Sequence, residues 1–132
     1  MRLPMLERLT RFRRDLHRIP ELDFDLPETT AYVRRVLETL DCDILFPEGT
    51  GLCAWFDAGK ATSVAFRTDM DALPITEQTG AAFASLHPGK MHACGHDGHM
   101  AMMLEFAHYV NDVKAQLTKN VLLVFQPAEE TT

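Results

Sequence analysis

The sequence has 132 residues, 46% hydrophobic and 24% charged, enough chain for one domain with a buried core. Its formal net charge of −6 excludes a general nucleic-acid binder, whose affinity needs clustered positive charge. No stretch approaches the ~18 consecutive apolar residues of a membrane span, and Arg2, Glu7 and Arg8 interrupt the N-terminus too early for a secretory apolar segment.

From about Leu3 to Arg18, Leu6, Leu9, Phe12, Leu16 and Ile19 recur at spacings of three and four. This predicts a helix whose Arg8, Arg11, Arg14 and Arg18 are mostly left to solvent. Pro20 ends it. A second helix is expected from Pro27, with Asp25 and Glu28 as a capping box and Val33, Val36, Leu37 and Leu40 as the apolar face. Leu52–Phe56 and Ser63–Phe66 are short apolar runs on either side of Asp57-Ala58-Gly59-Lys60, which reads as two strands and a turn. Residues 68–98 have little sustained period and carry Pro74, Gly80, Pro88, Gly89, Gly95 and Gly98. A long irregular connection this rich in reactive side chains is expected to be functional. A helix follows from about Gly98 to Val113, with Met103, Phe106, Ala107 and Val110 on one face, and then a buried strand over Asn120–Phe125. The order is that of an α/β fold. Reactive loops in such folds gather at the carboxyl ends of strands. Asp69 and Asp71 follow one strand, and Glu129 and Glu130 follow another.

The densest cluster of chemistry is Met91-His92-Ala93-Cys94-Gly95-His96-Asp97-Gly98-His99. Thiolate and imidazole are good ligands for Zn²⁺ and similar cations, and the two glycines let Cys94 and His96 converge on one centre. Histidines also gather at helix starts or line cores, so the segment by itself leaves both readings open. Glu129 and Glu130, on an extended chain, would point in opposite directions, one toward a metal and the other toward a water. As an isolated pair they read first as a solvated loop start. Asp69 and Asp71 would share one side of an extended chain and could orient ligand imidazoles. Cys42 and Cys53 read as small apolar residues, and Met100, Met102 and Met103 as core filler. His108 reads as a partly exposed polar residue, and nothing local gives His17 a role. The three cysteines form no CxxC pair and leave an odd count, so a reducing cytoplasm is expected rather than a disulfide framework.

Four segments, in this order, resemble the amidohydrolase branch of the metallo-aminoacylase and carboxypeptidase superfamily, which includes hippurate hydrolases, auxin–amino acid conjugate hydrolases and N-acetyldiaminopimelate deacetylases. They are Arg13-Arg14-Asp15-Leu16-His17 through Glu21, Phe66-Arg67-Thr68-Asp69-Met70-Asp71-Ala72-Leu73-Pro74-Ile75, Met91 through His99, and Val124-Phe125-Gln126-Pro127-Ala128-Glu129-Glu130. The resemblance implies a zinc-exopeptidase-like catalytic domain, a mixed sheet flanked by helices, of which residues 1–132 are the N-terminal portion. It implies Cys94, His96 and Glu130 as metal ligands, with Cys94 a thiolate able to bridge two ions. It implies Glu129 as general base and Asp69 as the supporting catalytic aspartate, with Asp71 the less favoured match. Two divalent ions, drawn from Zn²⁺, Mn²⁺, Co²⁺ or Ni²⁺, are implied, as is a small-molecule N-acyl amino acid substrate hydrolysed to a carboxylate and an amine. A homodimeric parent protein is also implied.

The same resemblance implies parts that this sequence does not contain: a lid or dimerisation domain, and two further histidine ligands after the Glu-Glu pair. The expectation for the 132-residue chain alone is therefore a partial metal site without turnover. The competing readings are a non-catalytic α/β remnant and a thiol-based redox protein built on Cys94. The second lacks a resolving cysteine nearby.

Overall fold

A computed structural model describes residues 3–47 and 50–131. Met1 and Arg2, at the N-terminus read above for a secretory segment, lie outside the described residues. Helix α1 spans Met5–His17 and α2 spans Pro27–Leu37; strands β1 (Asp43–Leu45), β2 (Leu52–Phe56) and β3 (Ser63–Asp69) follow. Helix α3 covers His96–Asp112, a 3₁₀ turn covers Lys114–Gln116, and β4 covers Asn120–Gln126. The strands form one mixed sheet in the order β1-β2-β4-β3, antiparallel except for the parallel pair β3 and β4. This is the expected α/β class, with α3 packed on β3 and β4, and α2 on β2.

The core is where the apolar faces meet: Phe12 and Leu16 from α1, Val33 and Leu37 from α2, Leu104 and Ala107 from α3, and Leu52, Phe56, Leu123 and Phe125 from the sheet. Periodicity placed most of these faces, but it does not report how far the neighbouring element extends. Leu6 belongs to the α1 stripe yet is 71% exposed, while contacts with α3 are made further along the helix, by Arg8, Phe12 and His17. Arg8 corrects the solvent-facing expectation. Its guanidinium makes a two-pronged pair with Glu105 of α3, both distances 2.6 Å. Met102, expected in the core with Met100 and Met103, is exposed.

The structure changes one further expectation and adds features that the sequence reading did not give. Pro27 opens α2 as anticipated, but the Asp25–Glu28 capping box does not form. The free N–H groups of Glu28 and Thr29 donate instead to the buried Glu21 carboxylate, at 3.2 and 2.7 Å. Strands β2 and β3 exist as expected but are not neighbours, because β4 inserts between them. Asn120, at the start of β4, ties the intervening turn by accepting hydrogen bonds from the N–H groups of Ala58 and Lys60. Strand β1 was not anticipated; three residues with one half-buried side chain carry too little pattern. On its outer side β3 is the sheet edge among the described residues, and its Val64 and Phe66 are 36% and 40% exposed.

Candidate metal centre

Because β3 and β4 run parallel with Asp69 opposite Gln126, both chains leave the sheet at the same end. Met70 is fully buried and anchors the exit of β3 in the core, with Asp69 and Asp71 on either side of it. On the other chain, Ala128 adopts φ 57° and turns the backbone. The expected divergence of Glu129 and Glu130 therefore does not occur: the two carboxylates lie 3.7 and 3.3 Å from the same atom, His96 Nε2.

That turn is held from below by Asp71. Its carboxylate, fully buried, accepts hydrogen bonds from the backbone N–H groups of Glu129 and Glu130, at 3.0 and 2.9 Å. The irregular segment is tied back by paired backbone bonds between Leu73 and Met91, both 3.0 Å, which set where the histidine-rich stretch begins. Gly95 has φ 102°, a conformation that glycine adopts freely, and so turns the loop directly into α3. Helix α3 thus starts at His96, earlier than expected, and His96 and His99 project from its first turn.

His96 organises the site. It is buried, and its Nδ1 lies 2.7 Å from the Asp71 carbonyl oxygen. A carbonyl can only accept, so Nδ1 carries the hydrogen, and in the neutral ring Nε2 presents its lone pair. Around that nitrogen stand Asp69 Oδ2 and Glu130 Oε1, both at 3.3 Å, together with Glu129. Asp69 uses its other oxygen, Oδ1, to meet His99 Nδ1 at 2.8 Å. Two sets of donor atoms lie within 4.8 Å of one another: Cys94, His96 and Glu130, and Asp69, His96 and His99. His96 is common to both; Cys94 belongs to one.

A lone pair ringed by three carboxylates and a thiol is mutually repulsive, and among the described residues only histidines form ion pairs with Asp69, Glu129 and Glu130. A divalent cation is the partner that this donor set lacks, and the mixture of sulfur, nitrogen and oxygen suits a zinc-like ion. The Cys94 thiol responds to the same imbalance. Desolvation of its sulfur, and then the Glu130 carboxylate that accepts its hydrogen bond, push its pKa up to about 12. His92 lines the adjoining cleft together with Cys94. It is buried, neither ring nitrogen has a hydrogen-bond partner among the described residues, and burial lowers its pKa to about 4.

All five side chains singled out as site residues, Asp69, Cys94, His96, Glu129 and Glu130, are thus gathered at one end of the parallel pair. Two further side chains join them. His99 sat in the histidine-rich motif but without a stated role, and its pairing with Asp69 spans 30 positions of sequence. Asp71 was the less favoured aspartate, yet it touches both the His96 ring and the Glu129–Glu130 backbone.

The model of peptidase family M20/M25/M40 matches residues 65–132. An uncharacterized hydrolase of Staphylococcus aureus (strain bovine RF122) is 41% identical over 128 residues, covering 96% of this chain and 33% of its own length. Among solved structures, a Bacillus subtilis protein described as a dinuclear metal binding peptidase from the M20 family superposes with a TM-score of 0.90 at 45% identity, over 96% of this chain and 36% of that one. An aminobenzoyl-glutamate utilization protein from Klebsiella pneumoniae gives 0.74 at 27% identity, over 94% and 37% of the two chains. The chain therefore spans about a third of the length of the relatives it matches. With its family-matched segment running from within β3 through the histidine-rich loop to the Glu-Glu turn, the chain belongs to the peptidase family M20/M25/M40.

Proposed function

We propose that these residues are part of the centre of a metal-dependent amidohydrolase that cleaves the amide bond of N-acyl amino acids, with residues 1–132 as the N-terminal portion of its catalytic domain. The observation that carries this reading is the His96 ring, fixed by the Asp71 carbonyl with Nε2 turned into a ring of carboxylates and a thiol. Cys94, His96 and Glu130 would hold one divalent ion, and Asp69, His96 and His99 offer donors toward a second. Zn²⁺, Mn²⁺, Co²⁺ and Ni²⁺ all suit such donors. The description of the B. subtilis relative as a dinuclear metal binding peptidase supports a two-ion centre.

Divalent ions bound there would polarise the scissile carbonyl and lower the pKa of water. The remaining work falls to the chain's own side chains. Glu129 is 38% exposed and so reachable by both water and substrate; it takes the proton from the attacking water and delivers it to the leaving amine. Asp71 holds the backbone from which Glu129 and Glu130 extend. Asp69 supports the centre by orienting His99 beside His96. The three free thiols support a reducing cytoplasm as the setting.

The test is divalent-metal stoichiometry of the purified chain by elemental analysis, after loading with Zn²⁺ or Mn²⁺ and desalting. We expect at least one retained ion per chain, lost in Cys94→Ala. No retained metal in the parent chain would overturn the reading of this segment as a nucleus of the metal centre and favour an inert remnant. In the longer polypeptide, Glu129→Gln is expected to keep its metal and lose hydrolysis of N-acyl amino acids; an unchanged rate would remove Glu129 from the role of base.

A further inference from the structure

We infer that His17 is a positioning residue for this centre, clamping the first turn of α3 to the loop beside Cys94. The inference rests on the proposed metal centre for its purpose, but the clamp itself is a feature of the fold. His17 ends α1 and is 2% exposed. Its Nδ1 lies 2.7 Å from Asp97 Oδ2, and its Nε2 lies 3.0 Å from Glu77 Oε1. Asp97 directly follows His96. Its other oxygen caps the helix start by accepting from Gly98 N–H at 2.9 Å, and Arg13 Nε reaches Oδ2 at 3.0 Å. Glu77 in turn gathers its loop, accepting from Ser85 N–H at 2.8 Å and from the Thr79 hydroxyl.

Three segments remote in sequence therefore meet on one ring. Two carboxylates on opposite edges of an imidazole are both satisfied only when each ring nitrogen donates a hydrogen. No other side chain of similar size places two N–H donors on opposite edges of a flat ring. Phe83, from the same loop, packs edge-on against the His17 ring with centroids 5.6 Å apart, and the guanidinium groups of Arg13 and Arg14 lie over Phe83. Arg13, His17, Glu77, Phe83, Asp97 and Cys94 wall a cleft of about 430 Å³. The chain just after His17 continues the bracing: Arg18 and Pro20 offer backbone carbonyls to Leu86 and His87, and the Glu21 carbonyl accepts from Ala72, next to Asp71. His17, with Arg13 beside it, thus lets α1 tie the ligand-bearing helix start to the cleft wall.

The experiment compares the 132-residue chain with His17→Gln, Glu77→Gln and Val33→Ala, the last a core control on α2. Hydrogen exchange is read at Ser85 and at residues 98–99, and Zn²⁺ affinity is read by competition with a chelator. In the parent chain, long-range ¹H–¹⁵N spectra should show hydrogens on both His17 ring nitrogens. We expect His17→Gln to speed exchange at Ser85 and residues 98–99 at least tenfold more than Val33→Ala does, and to weaken Zn²⁺ binding about tenfold. If His17→Gln fails to fold, Glu77→Gln carries the test: it should speed exchange at Ser85 and residues 98–99 at least threefold more than Val33→Ala does and weaken Zn²⁺ binding about threefold. A single-donor ring in the parent chain, or exchange changes no larger than those of Val33→Ala, would overturn the clamp. Unchanged Zn²⁺ affinity in a variant with loosened exchange would overturn its link to the centre. A parent chain that binds no Zn²⁺ would instead fail the metal-centre reading and remove the purpose assigned here, while the exchange data would still decide the clamp.

Discussion

Asp71→Asn tests the foundation of the site with a change of one atom. The carboxylate accepts two backbone N–H bonds, one on each oxygen, at 3.0 and 2.9 Å, and the residue is fully buried. An asparagine offers one acceptor oxygen and one NH₂ group, so one of the two N–H donors must face another donor. A hydrogen bond to a charged group contributes about 1.5–3 kcal/mol, and an unsatisfied buried donor costs about 1–3 kcal/mol. Against this, removing the charge relieves repulsion from Glu129 and Glu130. Their side chains are 38% and 33% exposed, so solvent limits that relief to about 1 kcal/mol. The net expectation is a loss of about 2 kcal/mol, read as a lower urea midpoint with unchanged slope. The same change should weaken Zn²⁺ binding, because Glu130 extends from the loosened turn. Stability within 0.5 kcal/mol of the parent chain, together with unchanged Zn²⁺ binding, would refute the claim that Asp71 builds this turn (threshold about one ordinary surface substitution).

Gly51 has φ 139°, and a Cβ there would stand 2.8 Å from Pro127 Cδ and 2.9 Å from the Phe125 carbonyl oxygen. Gly51→Ala should cost about 2–4 kcal/mol in thermal unfolding and disturb the approach to the Glu-Glu turn; a cost near zero would show that β4 can shift freely there. Burial holds His92 at about 4 against an ordinary 6.5, so between those values the unfolded chain binds the proton and the folded chain does not. That contribution to stability is complete above pH 6.5 and is lost as pH falls toward 4, by about 2–3 kcal/mol. With chelator present, His92→Leu should flatten this acid limb, and an unchanged slope would exclude His92 as its source. Val64 and Phe66 lie exposed on the open edge of β3, which favours association of the isolated chain. Phe66→Lys should weaken that association roughly tenfold in sedimentation, about what removing one partly buried aromatic contact predicts; equal association would place the contact elsewhere.

What could be read from the residues alone was whatever is written locally. Helices α1 and α2, the β2, β3 and β4 runs and the length of the irregular segment follow from spacing and from Pro and Gly positions, because backbone conformation responds to near neighbours. The donor types of Cys94, His96 and the Glu-Glu pair were legible as a concentration of ligand chemistry, but each short motif by itself left a bland reading open, and only the four segments together gave them roles, as a resemblance. Tertiary structure decided the rest. Whether β2 pairs with β3 depends on β4, which arrives more than fifty positions later and inserts between them. Glu21 rather than Asp25 caps α2 because a folded-back chain presents a buried carboxylate to the helix start. His17 acquires its role from Asp97 and Glu77, 80 and 60 positions away. Motifs name which atoms can bind a metal; only the folded chain decides which lone pairs and hydrogens face one another, because hydrogen bonding acts over a few ångströms of space and is blind to distance along the sequence.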